Sequence, residues 1–135
     1  MKKIALFLIC VILLSSCSSL SHQEQIQLRK LASQGVTIDR PVGTYEKPAS
    51  GIAAGLLNIL PGIGNFYLGC GNGAESNQII YGILNFLFWP FSPVWAIPQA
   101  AIDADNINKR DMIYYYLYDE NGKKELRKAG IRIRD

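Results

Sequence analysis

Side chains able to do chemistry are few in this 135-residue chain, and they stand far apart. Cysteines occupy positions 10, 17 and 70, and His22 is the single histidine. A thiol enzyme built on Cys70 needs a base close by to hold the thiolate, and no histidine lies near it in sequence. Asp103 and Asp105 form an acidic pair, but they fall where charge returns after a long apolar run, which reads as the solvated end of a helix. Metal-ligand spacings, a nucleophile elbow and a phosphate loop are all missing from the sequence. The sequence therefore predicts no catalytic residue, no metal, no cofactor and no small-molecule substrate. Its remaining polar groups of interest are amides in an apolar setting: Asn58, Asn85 and Gln99.

The N-terminus gives Cys17 a different chemistry. Lys2 and Lys3 precede an unbroken apolar run of 11 residues, 4–14, too short to cross a bilayer and typical of a secretory leader. Leu14-Ser15-Ser16-Cys17 then closely resembles a bacterial lipobox. That resemblance implies cleavage before Cys17, a diacylglycerol on its thiol and a third acyl chain on its new amine, with no other cofactor. Three acyl chains make an anchor that does not let go, since each buried methylene adds about 0.8 kcal/mol. Cys10 leaves with the leader and Cys17 is a thioether, so the mature chain has no partner for an intramolecular disulfide at Cys70. Cys70 reads as a small residue of a glycine-rich turn, with acylation or pairing to another chain as alternatives. Loss of Lys2 and Lys3 lowers the net charge from +3 to +1, which leaves a nucleic-acid partner without electrostatic support.

The elements that organise the rest lie in residues 48–102, which hold one formal charge, Glu75. The flanks 48–74 and 76–102 have 27 residues each, and about 20 apolar residues can cross a bilayer as a helix. The pattern predicts a membrane hairpin turning at 69–75. On its first arm Gly51, Gly55, Asn58 and Gly62 recur at helical spacing as a narrow small-residue face that lets helices approach closely in lipid. On the second arm Gly82 and Asn85 lie one turn apart. Pro61-Gly62 predicts a kink or a break in the first arm, and Pro90, Pro93 and Pro98 interrupt the second. A helix ending near Trp89 and another from about Val94 to Lys109 follow. Asn58 and Asn85 fall at similar depth in such a hairpin and are expected to hydrogen-bond to each other across it.

Residues 62–69, Gly-Ile-Gly-Asn-Phe-Tyr-Leu-Gly, followed by a hydrophobic segment closing at Trp95 and Asp103, resemble the TM2-domain family of two-helix membrane proteins. Asn65 stands where that family carries histidine, and Cys70 and Asn72 stand in place of a basic turn residue. The resemblance covers residues 50–106 and implies a membrane module without an established activity.

Outside the hairpin, residues 22–35 read as a helix with Ser21 as N-cap and Glu24 closing a capping box. It either lies on the membrane or covers the domain. Residues 36–38 and 112–118 read as strands, the tyrosine-rich run also suiting a membrane interface. Asp119-Glu120-Asn121-Gly122 reads as a turn, residues 124–129 as a helical turn, and residues 131–133 as a short strand. The expected fold is thus mainly α and membrane-associated: a kinked hairpin of three to four short helices with small α/β soluble flanks. Its divisions are a leader at 1–16, a lipid-anchored tether and amphipathic helix at 17–49, the hairpin at 50–106 and a polar strand-turn segment at 107–135.

The expected function is that of a non-catalytic cell-envelope lipoprotein. Its partners would be membrane lipid and, through the small-residue face, a second copy or another envelope protein. An oligomeric pore lined by Asn58, Asn85 and Gln99 is the alternative. The soluble ends are expected in the periplasm, with Ser18 favouring the outer membrane and the hydrophobic hairpin the inner one. Two full spans would leave Lys109 and Arg110 outside and only Glu75 inside, against the positive-inside tendency; the breaks at Pro61 and Pro90-Pro93 leave open a shallow hairpin of short helices, buried in one leaflet or packed on copies of itself.

Overall fold

The computed structural model of the chain describes residues 19–71 and 75–132. The expected leader, Cys17, residues 72–74 of the expected turn and Ile133 lie outside the described residues. Among the described residues six helices follow in order: α1 His22–Ser33, α2 Gly51–Leu57, α3 Ile63–Cys70, α4 Asn77–Leu87, α5 Pro93–Leu117 and α6 Glu120–Lys128. The protein is mainly helical, and among the described residues no strand forms; the segment at 36–40 holds only an isolated bridge between Thr37 and Arg40. The expected α/β flanks are therefore α-helical.

The long helix α5 explains why. Ala96, Ala100, Ala104, Asn108, Met112 and Tyr116 follow one another at every fourth residue, and all are buried. That spacing is one helix stripe, and it carries the tyrosine run along with it; packing overrides the β-propensity of residues 112–118. The predicted turn at Asp119 starts a helix instead. Its carboxylate Oδ1 accepts the backbone N–H groups of Asn121 (2.8 Å) and Gly122 (3.4 Å), satisfying donors that α6 leaves open. At α1 the capping box is complete: Ser21 Oγ accepts from Glu24 N, and Glu24 Oε2 accepts from Ser21 N.

These elements make two regions. In the first, Leu31 of α1, Val36, Tyr45, Met112, Ile113 and Tyr116 of α5 and Leu126 of α6 form an apolar core. Leu31 thus places α1 as a cover over α5. Tyr116 Oη fixes the connecting segment by accepting from Val42 N and donating to Val42 O. Asn108 does the same two turns earlier, exchanging two hydrogen bonds with the backbone of Ala49.

The second region is a wedge made of α2, α3, α4 and the first half of α5. Here the chain runs out, back, out and back again. Gly51 faces Ala101 and Gly55 faces Ile97, so α2 and α5 are antiparallel. Gly62 faces Gly82 while Gly69 faces Ile79 and Gln78, so α3 and α4 are antiparallel too. Pro61-Gly62 gives more than a kink. Gly62 takes a left-handed φ of 83°, and the chain folds α3 back on α2 so closely that a Cβ on Gly64 would sit 2.0 Å from Ala54 O. The outer turns are residues 58–62 and 88–92; the Trp89–Pro90 peptide in the second is cis.

This path corrects the expected hairpin. The segment entering α4 does not lie at the far end of two spans. Glu75 pairs with Arg110, and Ser50 N donates to Tyr67 Oη, so both meet the polar region at the wedge's base. Among the described residues no helix is long and apolar enough to cross a membrane. The expectation of transmembrane helices, including the two that the TM2 resemblance implies, is not met there: each arm breaks and returns before the span is complete.

Candidate functional site

The wedge is polar inside and apolar outside. Among the described residues, fifteen of the eighteen exposed large apolar side chains lie between residues 52 and 102. They include Leu60, Phe86, Leu87, Trp89, Phe91 and Val94, each more than 60% exposed. In the interior of the same region, among the described residues, the buried hydrophobics larger than alanine are Leu68 and, at its base, Ile107, beside Ala54, Ala96, Ala100 and Ala104.

Amides fill that interior. Asn65 on α3 is their hub. Its Oδ1 accepts from Asn58 Nδ2 and from Asn85 Nδ2, both at 2.9 Å, and its Nδ2 donates to Gln78 Oε1 at 2.7 Å. Gln78 Nε2 passes the chain on to Asp103 Oδ2 at 2.9 Å. Asn58 also donates to Ala96 O and accepts from Gly64 N, closing the α2–α3 turn onto α5. Trp95 Nε1 donates to Asn85 Oδ1 at 3.1 Å. Donors thus run in series from the outer end of the wedge to a buried carboxylate at its base, tying α2, α3, α4 and α5 together. Such a network rigidifies a bundle only when its members are satisfied. Ser92 Oγ is the one buried side-chain polar atom without a partner among the described residues.

Asn58 and Asn85 come close to each other, but not as the expected hydrogen-bonded pair. Neither bonds to the other; Asn65 stands between them and accepts from both. The glycines of the small-residue face are also placed differently from the expectation of an external contact. Gly51 and Gly55 press against α5, and Gly62 and Gly82 against each other, all within this chain. Gln99 is buried on α5. The sequence reading missed Asn65, Gln78 and Asp103, although a signal was present. Gln78 and Asn85 are seven residues apart on α4, which is two helical turns and hence a shared face, whereas Asn58 and Asn65 lie on either side of the break at Pro61-Gly62.

A charged clasp closes the base. The Arg110 guanidinium donates to Glu24 Oε1 at 3.1 Å, to Glu75 Oε1, and to Ser19 O at 2.8 Å. It joins the start of the described chain, α1 and the entry to α4. Burial pushes the Glu24 carboxyl upward, but hydrogen bonds from the Ser21 backbone and hydroxyl, and then the charge of Arg110, hold it below its ordinary range. Nearby, burial pushes the Tyr45 hydroxyl up, with the Asp111 charge adding to it, and burial likewise raises the Asp111 carboxyl.

Cys70 is free and exposed, and among the described residues no group of three His, Cys, Asp or Glu side chains is placed to hold a metal. The arrangement defines a short-helix wedge with a hydrogen-bonded interior and an apolar exterior. No family model matches this chain, and no curated protein or solved structure matches it either.

Proposed function

We propose that this protein is a lipid-anchored cell-envelope protein whose α2–α5 wedge is immersed in one leaflet of a membrane, where it acts as a non-catalytic structural or interaction module. The observation that carries this reading is the inverted distribution of polarity in the wedge. In water an apolar exterior over an amide interior wastes the hydrophobic effect. In hydrocarbon it is the favourable arrangement, because buried polar groups find partners and the outer side chains meet acyl chains. Each large apolar side chain removed from water contributes about 1.5–3 kcal/mol, so immersing Leu60, Trp89, Phe91 and Val94 favours the membrane-bound state by roughly 6–12 kcal/mol.

The wedge's dimensions favour shallow immersion. The 11 residues of α4 rise about 16 Å, roughly half of a ~30 Å hydrocarbon core. Both outer turns then rest inside the leaflet, while Arg110, Glu75 and the first region stay at its surface. This also removes the charge conflict of a full span: no basic segment has to choose a side. The lipid on Cys17 would enter the same leaflet. Ser19, held by Arg110 at the wedge's base, is two residues away, and two residues reach about 7 Å at most. We place the first region in the periplasm on the strength of the lipobox. The glycine face is taken up within the chain, so docking of a partner or a second copy falls to the apolar exterior. The amides bond to one another, which speaks against a pore lined by Asn58 and Asn85.

Flotation of the leaderless Cys17→Ala protein with liposomes tests the reading. The wedge alone should carry it to the lipid fraction, and replacing Leu60, Phe91 and Val94 together by Asn should release it. A leaderless protein that stays in the aqueous fraction as a compact monomer without detergent would overturn it.

A further inference from the structure

A cleft of about 800 Å³ opens where the two regions join, between α1, the segment leading into α2, and α5. That volume is in the range of small-ligand sites. About half of its lining is apolar, including Leu28 and Ala32 of α1, Val36, Ile38 and Pro48. Its far wall is Ile52 at the start of α2, 78% exposed, so the apolar lining continues down the outer face of the wedge. Four charges also line the cleft, two of each sign. Lys47 Nζ lies 2.9 Å from Asp39 Oδ1, and Lys109 Nζ 2.5 Å from Asp105 Oδ2. All four are partly exposed, so each pair contributes little to stability and opens at little cost.

We propose that this cleft holds one membrane phospholipid with a primary-ammonium, zwitterionic headgroup. The inference rests on the membrane reading above and names a lipid that the wedge recognises. Charge decides the class. An anionic headgroup gains Lys47 and Lys109 but must face Asp39 and Asp105 uncompensated. A zwitterion satisfies both kinds: its phosphate accepts from the two lysines while its ammonium donates to the two carboxylates. A trimethylammonium headgroup carries the same charge but has no N–H to donate, so a charge-assisted hydrogen bond to either carboxylate is lost. The glycerol end then points toward Ile52, and the acyl chains follow the wedge's exposed face into the leaflet. Nothing covalent occurs; the lipid is bound and exchanged.

The test is native mass spectrometry of the full, lipidated protein released from nanodiscs. The discs would contain phosphatidylethanolamine, phosphatidylcholine and phosphatidylglycerol in equal parts. One retained lipid per protein is expected, with the ethanolamine lipid enriched about threefold or more over each of the others, the scale of an exposed ion pair. The variant D39N/D105N should insert normally but lose that enrichment, and K47Q/K109Q should retain less of every phospholipid. Equal retention of the three lipids, or an enrichment that survives D39N/D105N, overturns the proposal. Failure of the protein to enter discs of any composition would instead bring down the membrane reading, and this inference with it.

Discussion

The two regions of this protein solve the same problem in opposite ways. Around Met112 and Tyr116 the chain buries leucine, methionine and tyrosine and turns charge outward. Around Asn65 it buries amides and alanines and turns isoleucine, leucine and phenylalanine outward. One helix, α5, serves both. Its buried stripe changes from Ala96, Ala100 and Ala104 to Met112 and Tyr116, with Asn108 at the junction. The contrast teaches that burial alone does not identify a core. What matters is which solvent the outer surface is matched to, and on the membrane proposal the two ends of α5 are matched to different solvents.

Substitutions should therefore have opposite rules in the two regions, and the largest effect should come from the wedge's hub. Asn65→Leu keeps the branched shape but strips three hydrogen bonds, leaving Asn58, Asn85 and Gln78 short of a partner. At about 1–3 kcal/mol for each unsatisfied buried group, it should lower stability in detergent by roughly 4 kcal/mol, read by chemical denaturation. An unchanged midpoint would mean that the amides are spectators. Leu31→Ala should lose about 3 kcal/mol by opening a cavity in the first region, with no change in liposome flotation. Tyr116→Phe should lose about 1–2 kcal/mol, since it breaks both hydrogen bonds to Val42 while keeping the ring.

A smaller effect should appear with pH. The folded-state pKa of Glu24 is lowered, so the stability it contributes is complete above its ordinary value near 4.5 and drains away as the pH falls through the folded value. Asp111, raised by burial, works in the other direction, so the difference between the parent and Glu24→Gln is the quantity to follow. That difference should be largest at neutral pH and vanish in acid. Smallest of all, Phe91→Ser should change stability in detergent by less than about 0.5 kcal/mol, as surface sites do, while weakening flotation.

Much of this was legible in the residues. The absence of charge between 76 and 102, the break at Pro61-Gly62 and the cap at Ser21-Glu24 all mark local facts that tertiary packing respects. Two things were not. A hydropathy count treats 27 uncharged residues as one span, yet it cannot see that Gly62 and Gly64 allow the chain to double back. Glu75, the feature that looked like the far turn, lies at the near end because Arg110 is there to meet it. Similarly, Asn58 and Asn85 announce themselves by being alone in an apolar run, whereas Asn65 and Gln78 sit close to turns, where amides are unremarkable. Their role depends on contacts between helices, which no spacing within one arm reveals. The tyrosine run fails for a related reason: its β-propensity is a local preference, and the stripe from Ala96 to Tyr116 is a longer-range one.

The central claim is the depth and sidedness of the wedge, and Trp89 at its outer turn reports both. In a Trp95→Phe background, Trp89 fluorescence can be read in bilayers carrying bromine at defined positions along the acyl chain. Strong quenching by bromine deep in the chains of the leaflet that receives the protein, with none from an aqueous quencher on either face, is the predicted result. Emission typical of water, or quenching by an aqueous reagent on the opposite face, would contradict the account.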